Sequence, residues 1–168
     1  MRRLSVISIL LMVCFQAFSQ SAAEQIKDML SNYRVSIKYT YSDSAGNEIG
    51  SGLATIQGHC YKVIENSTVF CCDGTTLWTK IPGSKEIYIE NGGGPNDLFG
   101  NLDSIIDKVS DLTLDGNRFS FKLTMQGIPD TLDCRATILG KTNYSEDLKD
   151  FRLEAVDYDR LWTITDLR

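Results

Sequence analysis

Few residues in this chain have the types and spacing that bond-making chemistry needs. Histidine occurs once, as His59, next to Cys60. A serine-nucleophile site needs a Ser-His-Asp arrangement or a Gly-x-Ser-x-Gly elbow, and the sequence has neither. Asp157 and Asp159 come nearest to a carboxylate pair, but two residues apart on an acidic turn they read as solvated surface. Gly92-Gly93-Gly94 lacks the Gly-Lys-Ser/Thr of a phosphate-binding loop. The cysteines offer more. Cys60, Cys71, Cys72 and Cys134 make an even set, which in an exported protein fits disulfides. A hairpin folded about Asn66 sets Cys60 opposite Cys72 and Tyr61 opposite Cys71. Three readings follow: a Cys60–Cys72 bridge, buried free thiols, or a metal site built from His59, Cys60, Cys71 and Cys72. Metal is disfavoured, because neighbours on a strand point to opposite faces and Cys71 and Cys72 then do not converge on one ion. The expectation is a protein that is not an enzyme, with no catalytic residue, no metal and no cofactor.

Ahead of these residues stands a leader. Met1-Arg2-Arg3 is a positive head and Leu4 to Val13 an almost continuous apolar run. Ala17 and Ser19 form a small-x-small pair before Gln20. These are the three parts of a secretory signal, cleaved near Ser19/Gln20. The run falls short of the ~20 apolar residues that span a bilayer. Val13 stands where a lipidated cysteine at position 14 would need a small residue before it, so a soluble exported protein is expected, with residues 20–168 as one domain. The 168 residues are 42% hydrophobic and 23% charged, which is the balance of a globular chain. Their net charge is −5, and losing Arg2 and Arg3 makes the remainder more acidic still. Such a surface repels phosphate backbones and argues against nucleic acid as a partner.

The period of the apolar residues sets the elements. Ser21 and Glu24 form a capping box, and Ile26, Met29, Leu30 and Tyr33 recur at helical spacing over residues 22–33. The period then changes to two: Val35, Ile37, Tyr39 and Tyr41 alternate with Ser36, Lys38, Thr40 and Ser42. Turn signals at short intervals bound strands over 49–56, 60–64, 68–72, 75–80 and 86–90. Leu98, Phe99, Leu102, Ile105, Ile106 and Val109 give a second amphipathic helix. Further strands are expected over 112–114, 118–126, 131–139, 151–156 and 161–167. The fold class is therefore mainly β: about ten or eleven antiparallel strands curled into an unclosed half-barrel, with two helices as lids over its concave face. That face is expected to include Ile37, Tyr39, Tyr41, Ala54, Ile56, Tyr61, Val63 and Phe121. The lids would offer Ile26, Met29, Leu30, Leu98, Phe99, Leu102 and Ile106. An apolar concavity under helical lids is the anatomy of a hydrophobic ligand cavity.

Asp73-Gly74-Thr75-Thr76-Leu77-Trp78, followed by Pro82 and Glu86-Ile87-Tyr88-Ile89, resembles the core of LolA-type outer-membrane lipoprotein carriers. The order of the flanking elements is similar over about Ser21 to Val156. The resemblance implies a periplasmic, monomeric carrier that holds the acyl chains of lipoproteins or related lipids in its cavity. It also implies an inner-membrane machine that loads it and an outer-membrane acceptor that unloads it. The carriers have an Arg-Pro at the end of the second strand, tied to lid closure; the matching stretch here reads Gln57-Gly58-His59. Cys71-Cys72 replaces a Val-Ser type pair. Two other readings use the same residues: an envelope sensor or protein-binding module without transport, and a metal-dependent hydrolase using His59 and the cysteines.

Overall fold

The computed structural model describes residues 21–94, 99–106, 109–124, 131–154, 158 and 160–168. The residues expected as a leader, with Cys14, the expected lid position Leu98 and the aspartates at 157 and 159 lie outside the described residues. Helix α1 (Ala22–Asn32) starts as the capping box requires. The Ser21 hydroxyl accepts from the Glu24 N–H at 3.2 Å, and the Glu24 carboxylate accepts from the Ser21 N–H at 2.8 Å. The helix ends without a loop, because Tyr33 is both its extended cap and the first residue of β1.

Ten strands follow: β1 (Tyr33–Ser42), β2 (Glu48–Gln57), β3 (Cys60–Glu65), β4 (Thr68–Asp73), β5 (Thr76–Ile81), β6 (Glu86–Asn91), β7 (Ser110–Asp115), β8 (Arg118–Leu123), β9 (Leu132–Asn143) and β10 (Thr163–Asp166). A short helix α2 (Leu102–Ile106) lies between β6 and β7. The strands form one sheet in the order β10-β6-β5-β4-β3-β2-β1-β9-β8-β7, which does not close into a barrel. Helix α1 packs on β1 and β2 and also reaches β7 at the far edge.

Four expectations need correction. The second helix is only the five residues of α2 among the described residues, too short to bury a stripe by itself. Of the strand expected at 151–156, residues 155–156 lie outside the described residues, and 151–154 form none: Phe151 ends a 3-10 turn at Lys149–Phe151. The last strand is not antiparallel: β10 runs parallel to β6, where the Thr163 N–H donates to the Lys85 carbonyl and the Leu167 N–H to the Ile89 carbonyl. It covers backbone groups that an edge strand would otherwise leave open.

The fourth correction is the β3–β4 register. Asn66 (φ 49°) and Ser67 (φ 70°) both take left-handed backbone, so the hairpin has a two-residue turn of the I′ kind. Glu65 then pairs with Thr68, Tyr61 faces Cys72, and Cys60 faces Asp73. A turn about Asn66 alone would have shifted this by one residue, and a shift of one reverses every face. Cys60 and Cys72 therefore lie on opposite faces of the sheet and cannot bridge, and none of Cys60, Cys71, Cys72 and Cys134 is in a disulfide.

Each face of the sheet has its own cover. On one face Val35, Ile37, Ala54, Ile56, Tyr61, Val63 and Cys72 pack with Ile26 and Leu30 of α1. On the other, Gln57, Cys60 and Cys71 are buried beneath a strap from the end of β9 to residue 152. Phe151 plugs this side, the Arg34 guanidinium sits 5.0 Å from its ring centre, and Arg34 also pairs with Asp150. Gln57 is wholly buried and clamps the strap backbone: its Nε2 donates to the Ser145 carbonyl at 2.6 Å and its Oε1 accepts from the Ser145 N–H at 3.0 Å.

Asp73 pins the strap from the sheet side. One carboxylate oxygen accepts from the Thr75 and Thr76 N–H groups and the Thr75 hydroxyl, and the other from Arg152 Nε at 2.9 Å. Burial pushes the Asp73 carboxyl up, but these donors outweigh it and hold the group below the ordinary carboxylate range. The folded value lies under the unfolded one, so the stabilisation is complete above about 3.9 and is lost as pH falls through the folded value. Thermal melts taken at decreasing pH should be level from neutrality to about pH 5 and then fall. Asp73→Asn should lose stability at neutral pH and show a smaller acid decline than the parent; an identical acid decline would mean the carboxylate takes no part.

Candidate functional site

Between the first face and the two helices lies a cavity of about 310 Å³. Its walls are almost wholly apolar. Of the residues expected from the sequence, Ile37, Tyr39, Tyr41, Ile56 and Phe121 line it from the sheet. Ile26 and Leu30 line it from α1, and Phe99, Leu102 and Ile106 from the α2 segment. Ala54, Tyr61 and Val63 are buried in the adjoining core and do not border the cavity, while Met29 is half-buried against that core. Trp78 borders no part of it.

Of the wall made by the other half of the sheet, sequence reasoning found only Phe121. Leu112, Phe119, Leu123, Leu132, Cys134 and Ala136 also line the cavity, with Ile105 and Val109 from the lid side. The alternation of Leu132, Cys134 and Ala136 carried the signal, but β9 pairs with β1 across nearly a hundred residues and no local pattern announces that pairing. Burial pushes the Cys134 thiol up to about 11, so it is a neutral, apolar part of this wall at neutral pH.

Phe99 forms the roof, its ring centre 5.6 Å from Tyr61 and 6.0 Å from Tyr39. Both lids are tied to the β2–β3 turn. Gly58 has φ 57°, the backbone a two-residue turn needs at its first central position, and its N–H donates to the Leu30 carbonyl at the end of α1. His59 Nδ1 lies 3.1 Å from the Gly100 carbonyl, beside the roof. Residues 57–59 thus hold the strap, α1 and the α2 segment together. His59 has a mechanical role there, and among the described residues no group of histidine, cysteine and carboxylate side chains is placed to hold a metal ion.

One polar cluster faces the cavity. Glu65 accepts from the Tyr39 hydroxyl through one oxygen and from the Tyr41 hydroxyl through the other, both at 2.5 Å. The phenols stand on β1 and the carboxylate on β3, so both rings cross β2. They do so over Gly50 and Gly52. A Cβ on Gly52 would lie 2.6 Å from the Tyr39 hydroxyl and 2.7 Å from the Ile64 carbonyl oxygen, and one on Gly50 would lie 2.4 Å from the Tyr41 ring. Burial, then the bond to Glu65, pushes the Tyr41 phenol up to about 12 and the Tyr39 phenol further. A mid-strand Gly→Ala change normally stabilises by about 0.5–1 kcal/mol. Here Gly52→Ala should instead destabilise by ~1–3 kcal/mol, since the strand or the phenol must shift. Urea denaturation measures the sign, and a gain in stability would contradict the close packing.

No family model and no curated protein matches the sequence. Among solved structures, the chain is similar to an uncharacterized conserved protein from Thermus thermophilus, with 7% identity and a TM-score of 0.44, over 87% of this chain and 99% of that one.

Proposed function

We propose that the protein is a periplasmic carrier that holds the acyl chains of lipoproteins, or of related lipids, in the cavity beneath its lids. The observation that carries the reading is that cavity: about 310 Å³, apolar on nearly all sides, and open between a sheet and two helical covers. Each buried methylene contributes ~0.8 kcal/mol, so a chain of about 16 carbons is held in its membrane by roughly 12 kcal/mol. Such a chain does not cross water at a useful rate unless a portable apolar site receives it. The present volume is near the lower end of ligand pockets and suits part of a single chain. A larger cargo requires the lids to part, and α2 is a helix of only five residues. Loading by an inner-membrane machine and unloading to an outer-membrane acceptor belong to the same proposal.

Solubility of an acylated peptide tests it. Detergent-solubilised diacyl or triacyl lipopeptide, diluted into buffer with the purified protein, should co-elute with it in size-exclusion chromatography. The same peptide without acyl chains should elute alone. Co-elution that ignores acylation would favour a protein-binding module over a lipid carrier.

A further inference from the structure

We propose that the cavity selects an amphiphile whose head group carries a positively charged amine, bound at Glu65 between Tyr39 and Tyr41. The inference rests on the cavity's taking an apolar chain and adds what its polar end must be. Arg135 also borders the cavity, but the alternation that turns Cys134 and Ala136 inward turns its side chain to the opposite face. Thr40, which pairs with Arg135 between Tyr39 and Tyr41, is turned to the opposite face in the same way, and the polar wall is Glu65 with its two phenols.

What this wall presents is one-sided. Both phenolic protons are already given to Glu65, one to each oxygen. The cluster then offers a ligand only lone pairs and negative charge. Two phenol rings lie nearly parallel beside it, 15° apart with centres at 6.4 Å, and Phe99 tilts over Tyr39 at 50°. Aromatic faces next to a carboxylate are the complement of an ammonium ion, protonated or quaternary. A phosphate or free carboxylate head meets only repulsion there. The arrangement is built at a cost in strand propensity. Gly50 and Gly52 sit mid-strand, where glycine weakens a sheet, and both are needed to let the rings through to Glu65.

The source of the amine is either a lipid head group or the free amino terminus of a lipidated peptide. The test uses three probes with ten-carbon chains that differ only in their heads, decyltrimethylammonium and decanoate below their micelle-forming concentrations and decanol below its solubility limit. Calorimetric titration of the mature chain should rank the ammonium about tenfold tighter than decanol, with decanoate weakest. Glu65→Gln should bring ammonium and decanol to similar affinities. Equal binding of all three by the parent, or a ranking that survives Glu65→Gln, overturns the amine site and leaves the acyl-chain reading standing. Failure of all three to bind overturns both. Competition then distinguishes the sources, using a short-chain ethanolamine phospholipid and a diacylated peptide with a free N-terminal amine. Displacement of the ammonium probe by either supports the assignment and names the source; displacement by neither overturns it.

Discussion

Replacing Ala136 with Phe should weaken acyl-chain binding by about two orders of magnitude while leaving the protein folded. Ala136 is 7% exposed, stands on β9 between Tyr39 and Phe119, and faces the cavity. A phenyl ring there takes the place of about four chain methylenes, worth ~3 kcal/mol or ~100-fold in affinity. The stability change has diagnostic value of its own. In a close-packed core an Ala→Phe substitution costs about 1–3 kcal/mol in overpacking. In an open cavity the ring has somewhere to go, and stability should hold or rise. Titration with a fluorescent fatty-acyl probe and a urea melt of the same sample read both effects. Loss of stability without loss of binding would mean that the space beneath the lids is not where the chain sits.

Phe151→Ala should cost ~3–5 kcal/mol, the usual range for emptying a buried phenylalanine site. For a chain of this size that lowers the melting temperature by roughly 10 °C. Phe151 is wholly buried and is the one large apolar side chain by which the 3-10 turn fills the face opposite the cavity. Its neighbours depend on it. Arg34 stacks on the ring and pairs with Asp150, and Arg152 reaches back to Asp73. Beneath the strap lie Cys60 and Cys71, and burial pushes the Cys60 thiol above its ordinary range. In the parent these thiols should react slowly with a maleimide reagent, and in Phe151→Ala quickly. A loss under about 1 kcal/mol with unchanged thiol reactivity would show that the strap does not depend on this residue.

The local half of this structure was legible in the sequence. Ser21 and Glu24 announced the start of α1, and the alternation from Val35 to Tyr41 announced β1 and its inward face. These signals live within a few residues and need no partner. What was not legible depended on contacts between distant segments. Phe151 and its neighbours alternate well enough for a strand, but Phe151 ends a 3-10 turn and is wholly buried, so the turn acts as a plug over β3 and β4. The last strand was placed correctly along the chain and given the wrong direction, because only the route from β9 back to β6 decides that. The cysteine register failed for a smaller reason. Ser67 joins Asn66 in left-handed backbone, and a β-turn of two residues differs from one of one by a full reversal of faces. Gly50 and Gly52 carried no functional signal in the sequence. Their use emerges only when Tyr39 and Tyr41 are seen crossing them to reach Glu65.

The central claim is that the cavity holds an acyl chain in the living envelope. Native mass spectrometry of the protein purified from that envelope without detergent, followed by organic extraction and lipid analysis, tests it directly. The account predicts a bound acylated species in the parent, absent or much reduced in Ala136→Phe purified alongside. A parent protein that carries no acyl ligand, together with normal lipoprotein localisation when it is depleted, would contradict it.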